Sequence, residues 1–231
     1  GVVLKEAGAG PQSVAEELKP ARDNWQPKWV IAVDGSNVNE TVQNGFPSAD
    51  ASLVTLSVVF IDISKLKTNS PGEILRPRVF REMEKAKSLD AVLPGANVVR
   101  KDVSNDDPQS WFREEIFKTL QGKIAGHETL FQTFEHLTQG EPRRIKCPIL
   151  PDCHCKEDEL IHILKGINPA ACKENKFVFE TDSLRLHERF KPEGNNGEPH
   201  GEFRHVLEIL ALLNVVRFFS ENEKLVRFLD D

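Results

Sequence analysis

The sequence predicts an α+β or mixed α/β fold built around one sheet, and three observations support this prediction. Apolar runs rich in β-branched residues, at 29–33 and 52–63, are typical of strands. Two later stretches, 107–121 and 202–219, have the apolar content and boundary residues of helices. Because strands come first and mixed helices and strands follow, we expect one sheet with helices packed on it.

The elements are justified in chain order by their composition. Residues 1–24 are mixed in charge and are expected to form an N-terminal arm. The run 29–33 predicts a buried strand that ends at the turn Asp34-Gly35-Ser36-Asn37, and 52–63 predicts a second strand paired beside it as a hairpin. The remaining expectations are a helix over 76–89, a strand over 91–93, helices over 107–121 and 128–138, a strand over 176–181, a loop over 194–199 and a helix over 202–219.

Composition narrows the class of protein. The chain has 231 residues, of which 39% are hydrophobic and 29% charged, which excludes collagen-like and disordered proteins. The most apolar stretch, 206–219, carries Glu208, Asn214 and Arg217 and is too short to cross a hydrocarbon layer of ~30 Å. No leader pattern opens the sequence, so we expect a cytoplasmic protein without membrane contact. A net charge of −6 argues against a protein that covers nucleic acid through overall positive charge. It does not exclude an enzyme that binds DNA at a local site.

Asp34 is the first candidate site residue. It follows a predicted buried strand, and ligands of sheet folds gather outside the carboxyl ends of strands. A carboxylate there can hold a hard cation such as Mg²⁺ or Mn²⁺. The alternative is that Asp34 only closes a turn through its side chain.

Glu208 is the second candidate. The helix around it is apolar on every face except at Glu208 and Asn214, which predicts a buried helix. A carboxylate on such a helix needs a cation, an arginine or several donors, because burying it unpaired costs several kcal/mol. We therefore expect a metal or catalytic role. The alternative is a structural ion pair, for which the sequence offers Arg185, Arg189 and Arg204.

A dense group of titratable residues occupies 181–189. If Asp182 caps a helix there, a cation such as Arg185 can face a phosphate. His187 and Glu188 can serve as acid, base or metal ligand. The alternative is an ordinary exposed helix whose charged side chains form ion pairs with one another.

All four cysteines lie close together. Cys147, Cys153, Cys155 and Cys172 can complete a tetrahedral Zn²⁺ site, with a histidine as substitute ligand. The spacing departs from paired zinc knuckles, so four reduced thiols in a loop-rich insertion are the alternative. A structural zinc would hold together a segment, 141–176, that has little apolar material of its own.

A small basic patch precedes the first cysteine. It consists of Arg143, Arg144 and Lys146, and it can contact a nucleic-acid backbone.

Several segments, in order, resemble the bacterial form of the NurA-type nuclease domain. They are 31–37 followed by 45–49, then 92–97, the Cys-rich insertion, 181–188 and the helix that carries Glu208. The resemblance covers about 29–219. It implies an RNase H-like nuclease domain whose first part is 25–140 and whose second part is 177–231, with 141–176 inserted between them.

The resemblance also implies a function. Asp34 matches the strand Asp and Glu208 the helix Glu of a site that binds Mn²⁺ or Mg²⁺ and hydrolyses DNA phosphodiesters. Family members act with a HerA-type hexameric ATPase, are often dimers, and serve DNA end processing or defence against foreign DNA. The family has a further Asp and a late His motif without counterpart here, so we expect the chain to continue past Asp231.

A second hypothesis uses the same observations. The missing third carboxylate and the acidic charge also fit a non-catalytic or incomplete nuclease-fold module that docks a partner ATPase.

Overall fold

The computed structural model describes residues 29–43, 48–63, 81, 84–101, 107–139, 170–171 and 177–221. The strands are β1 (Trp29–Gln43), β2 (Ala49–Asp62), β3 (Glu84–Pro94), β4 (Ala170–Ala171) and β5 (Phe177–Val178). The α-helices are α1 (Pro108–Leu120), α2 (Leu130–Leu137) and α3 (Gly197–Glu221), and two 3₁₀ helices span Glu180–Leu184 and Leu186–Arg189. The fold is thus mixed α/β, as the sequence predicts.

The chain divides into two compact units. One comprises residues 1–30 and 61–83, and the other comprises 31–60 and 84–231. The described part of the first unit is confined to the start of β1, the end of β2, Ile63 and Arg81. The second unit contains all three α-helices, both 3₁₀ helices and every candidate residue that the structure describes.

The main sheet is antiparallel and has the order β1-β2-β3. The predicted pairing of the first two strands is therefore confirmed. β2 lies in the middle and alternates, with Ser52, Val54, Leu56 and Val58 buried along one face. The helices pack against this face of the sheet, and the core lies between the two. β4 and β5 form a separate antiparallel pair, in which Ala170 lies opposite Val178.

The predicted helix over 76–89 is wrong over residues 84–89, whereas Arg81, the other described residue of this stretch, is helical. Residues 84–89 belong to β3, which is longer than the predicted strand over 91–93. The polar side chains of residues 85–88 are exposed, so the segment has no apolar helical face to bury. Pairing within the sheet then outweighs the modest helix propensity of its Lys and Ala residues.

The predicted helix α1 is confirmed with its cap. Asp107 accepts a hydrogen bond from Ser110 N at 2.8 Å, and Pro108 occupies the first turn. Phe112, Ile116 and Leu120 are buried on one side of the helix. Helix α2 begins at Leu130 instead of residue 128, because Thr129 and Gln132 form a capping box.

Helix α3 is longer and less buried than the sequence predicts. It begins at Gly197, inside the predicted loop, since Pro199 is tolerated in a first turn whose N–H groups lack helical partners anyway. Ile209, Leu212 and Val216 are 58%, 48% and 53% exposed, so the expectation of burial on every face is wrong. Among the described residues, no helix could cross a membrane.

The predicted strand over 176–181 is shorter in the structure. Strand β5 covers only Phe177–Val178, and the first 3₁₀ helix begins at Glu180. The polypeptide thus turns before the group of titratable residues at 181–189.

Candidate functional site

Asp34 lies within β1 and not at its end. The strand continues to Gln43, so the predicted turn at 34–37 is wrong. Along residues 29–36, exposed and more buried side chains alternate, with Asp34 exposed and Gly35 buried. The expectation of a fully buried strand at 29–33 is wrong for the same reason. β1 thus presents Asp34 on an open face of the sheet.

Gly35 marks the face of β1 on which helix α3 packs. A Cβ atom built on Gly35 would lie 2.7 Å from Glu208 Oε1 and 2.9 Å from Arg204 Cγ. A side chain at this position would force the Glu208 and Arg204 side chains to move, which glycine avoids. Successive residues of a strand project to opposite faces, so Asp34 projects away from the face that Glu208 contacts.

Arg204 ties β1 to Glu208. Its Nη1 donates to Gly35 O at 2.9 Å and to Glu208 Oε1 at 2.8 Å. Of the three arginines that the sequence offers as partners for Glu208, the structure therefore selects Arg204. The two side chains are 24% and 25% exposed, so the pair is partly solvated and contributes about 1 kcal/mol or less.

A shared metal site for Asp34 and Glu208 does not fit this geometry. The two carboxylates belong to opposite faces of β1, and the Glu208 carboxylate already binds a guanidinium. Within the described ranges, no group of three or more His, Cys, Asp or Glu side chains could hold a metal ion. The structure therefore separates two residues that the resemblance places together.

The segment 181–189 contributes a buried ion pair to the core. Arg113 of α1 donates from Nε to Asp182 Oδ1 at 2.8 Å and from Nη2 to Asp182 Oδ2 at 2.7 Å. Asp182 also accepts from Phe179 N at 2.8 Å, and the guanidinium lies 5.6 Å from the Phe179 ring centroid. Asp182 thus joins α1 to the first 3₁₀ helix instead of capping an α-helix.

His187 is buried beside this pair. Its Nδ1 lies 3.7 Å from Asp182 Oδ1, and Gln109 Nε2 donates to its backbone carbonyl at 2.8 Å. Burial lowers the pKa of His187, and the Asp182 carboxylate opposes that shift. The imidazole is therefore neutral near pH 7 and surrounded by protein; its catalytic role stays a prediction.

Arg185 and Glu188 face solvent. Arg185 adopts a left-handed backbone, with φ of 59°, between the two 3₁₀ helices. Its guanidinium donates to both carboxylate oxygens of Glu188, at 2.9 and 2.6 Å. This arrangement matches the expected exposed ion pair, and an incoming phosphate would have to compete with Glu188.

The other predicted site residues lie outside the described residues. They are Arg143, Arg144 and Lys146 of the basic patch and Cys147, Cys153, Cys155 and Cys172 of the zinc site.

Sequence reasoning missed a polar cluster on the α3 side of the sheet. Ser52 Oγ lies 2.6 Å from His200 Nδ1, and His200 Nε2 lies 3.1 Å from Pro94 O. Asn39 hydrogen-bonds the same Ser52 hydroxyl. The four residues come from three strands and α3, and Ser52 and His200 are 148 positions apart, so no local motif could reveal them.

Three members of the cluster, Asn39, Ser52 and His200, line a pocket of about 160 Å³. Burial lowers the pKa of His200 to about 4, against the opposing effect of the Pro94 bond. The imidazole is therefore neutral near pH 7, like that of His187.

The chain matches none of the family models, curated proteins or solved structures with which it was compared. Function must therefore be inferred from the chemistry and geometry of its own residues.

Proposed function

We propose that this protein is a metal-dependent DNA nuclease of the NurA type, in which Asp34 supplies a carboxylate ligand for Mn²⁺ or Mg²⁺. The observation that carries the proposal is the exposure of Asp34 on the open face of β1. A carboxylate there can hold a hard cation within reach of a DNA backbone. The ordered sequence segments and the antiparallel β1-β2-β3 sheet support an RNase H-like domain.

Bound Mn²⁺ or Mg²⁺ would polarise the phosphodiester and lower the pKa of an attacking water. Because Asp34 and Glu208 do not fit one ion, we assign Glu208 a different role. With Arg204 it fastens α3 to Gly35 of β1. The remaining metal ligands are proposed to come from outside the described residues.

Arginine and lysine side chains are the proposed DNA contacts. Arg185 is exposed, and a phosphate can replace Glu188 as its partner because both are bidentate anions. The DNA backbone is proposed to bind beside the Cys-rich segment, at Arg143, Arg144 and Lys146. We further propose Zn²⁺ at Cys147, Cys153, Cys155 and Cys172, which metal analysis of the purified protein tests.

The same proposal extends to partners. We propose a homodimer that acts with a HerA-type DNA-translocating ATPase in DNA end processing or defence, in the cytoplasm. Such a motor would deliver DNA to a chain whose net charge of −6 does not attract it.

A second candidate function is that of a non-catalytic module that docks an ATPase. The observation that favours it is the exposed apolar row of Ile209, Leu212 and Val216 on α3. Rows of this kind, at helical spacing, are found where helices bind protein partners.

Nuclease assays on Asp34→Asn and Glu208→Gln test the proposal. With linear DNA and Mn²⁺, D34N is expected to lose cleavage, because an amide is a poor ligand for a hard cation. E208Q is expected to retain it, since Glu208 lies against the other face of β1. The exposed Asp90 of β3 provides a matched control, D90N, that should cleave like the unmodified protein.

The outcomes separate the hypotheses. Cleavage that survives D34N rejects Asp34 as a metal ligand, whereas absence of cleavage by the unmodified protein rejects the nuclease proposal and favours the docking module. Equal loss in folded D34N and E208Q would show that the two carboxylates share an ion after all, against the geometry described above.

A further inference from the structure

The Ser52–His200 pair has a defined proton arrangement. A backbone carbonyl only accepts hydrogen bonds, so the contact with Pro94 O at 3.1 Å requires the hydrogen of the imidazole on Nε2. Nδ1 is then an acceptor, and the Ser52 hydroxyl, at 2.6 Å, donates to it. Asn39 lies with its Oδ1 toward the Ser52 hydroxyl. Because the single hydroxyl hydrogen is directed to His200, we exchange the oxygen and nitrogen of this amide, so that Asn39 Nδ2 donates to Ser52 Oγ.

We propose that Ser52 and His200 are a nucleophile and its general base, and that they hydrolyse small uncharged or cationic esters. This activity is separate from the proposed nuclease. Three elements of an activated serine are in place: the hydroxyl, a histidine within hydrogen-bond reach, and a group that fixes the histidine's tautomer. Here Pro94 O fixes the tautomer, a role that a carboxylate has in serine proteases.

The pocket defines the substrate class. Its volume of about 160 Å³ admits an acyl group of a few heavy atoms. Glu40 and Asp50 contribute the charged side chains among the described residues that line it, and Lys and Arg are absent from that lining. The pocket therefore repels anions, phosphate esters included, and accepts neutral or cationic compounds.

The chemical step is an acyl transfer to serine. His200 Nδ1 takes the hydroxyl proton as Ser52 Oγ attacks the ester carbonyl carbon. The bond to the leaving alkoxide oxygen then breaks, that oxygen receives the proton from His200, and an acyl-Ser52 ester remains. Water, deprotonated by the same nitrogen, releases the carboxylic acid and restores the serine.

Helix α3 is placed to assist this step. It begins at Gly197, which lines the pocket beside His200. Gly197 N already donates to Asn195 Oδ1 at 2.7 Å and Pro199 has no N–H, so the helix dipole, and no N–H of these two residues, would favour the oxyanion that forms on the carbonyl. The pKa of His200, about 4, leaves the imidazole unprotonated near neutral pH but makes it a weak base.

Acylation of the full chain by p-nitrophenyl acetate tests the proposal. The unmodified protein is expected to release a burst of p-nitrophenol and to carry one acetyl group on Ser52 when the reaction is quenched in acid and mapped by mass spectrometry. S52A and H200Q are expected to lose the burst. Ser57, on the opposite face of the same strand, supplies the control S57A, which should retain it.

The decisive measurement does not depend on the variants. If the unmodified, folded protein neither releases p-nitrophenol faster than the reagent does in buffer nor carries an acetyl group on Ser52, the proposal is wrong, and the Ser52–His200 bond only joins β2 to α3. Acetylation of Ser52 that H200Q leaves unchanged would equally reject His200 as the base.

Discussion

Acid should destabilise this protein through His200. The imidazole is 2% exposed, and its pKa falls from 6.5 to about 4 on folding because burial disfavours the charged form. Below pH 6.5, His200 is protonated in the unfolded chain but stays neutral in the folded chain until the pH approaches 4. The free energy of unfolding therefore decreases as the pH falls. At about 1.4 kcal/mol for each tenfold difference in proton affinity, the loss reaches about 3 kcal/mol near pH 4.

The measurement is urea unfolding of the unmodified protein and of His200→Gln at several pH values between 7 and 4. H200Q is expected to begin less stable, because it disturbs the bonds to Ser52 and Pro94, but to lose less stability on acidification. His187 is also buried with a lowered pKa, so only the difference between the two proteins isolates His200.

A control variant shows how the free energy of unfolding changes with pH when an exposed histidine is replaced. His136 is exposed on α2, so H136Q should follow the unmodified protein at every pH. Parallel stability curves for the unmodified protein and H200Q would refute the reasoning, since they would show that His200 takes up its proton equally in both states.

Two further predictions concern packing. Asp182→Asn should lower the free energy of unfolding by about 3 kcal/mol or more, because it removes the charge that Asp182 places against the buried Arg113 guanidinium; a loss below about 1 kcal/mol in urea unfolding would contradict this. Gly35→Ala should destabilise by about 1–3 kcal/mol, because its Cβ would press on Glu208 and Arg204. Gly201→Ala, where a Cβ meets nothing within 4 Å, should instead stabilise α3 by up to about 1 kcal/mol, and equal thermal shifts in both variants would contradict the crowding at Gly35.

Local signals in the sequence were sufficient for the capped helix and for the first strand pair. Asp107 and Pro108 define the start of α1 because a side-chain cap and a proline act within one helical turn. The alternation in 52–62 is maintained by one buried face of the sheet. A helix cap and the alternation along one strand depend on neighbours a few residues away, so the local sequence is enough to predict them.

Elements that depend on distant partners were harder to predict. Residues 84–89 have polar composition, and only their place in the sheet makes them a strand. Helix α3 is apolar around its circumference, and nothing in its sequence indicates that the row from Ile209 to Val216 is exposed. In both cases tertiary contacts override local preference.

The candidate sites also combine features that the sequence predicts with features that only the tertiary structure decides. The sequence by itself identified chemistry-bearing residues: Asp34 beside a glycine, and Glu208 on an apolar helix in need of a cation. Only the tertiary structure decided that β1 continues past Asp34, which places the two carboxylates on opposite faces, and that Arg204 is the partner of Glu208.

The tertiary structure alone also assembled Ser52 with His200, and Arg113 with Asp182, across 148 and 69 positions. The physical reason is that hydrogen bonds and ion pairs act over a few ångströms in space and are indifferent to separation along the chain. A sequence therefore shows which groups need partners, and the fold determines which partners they find.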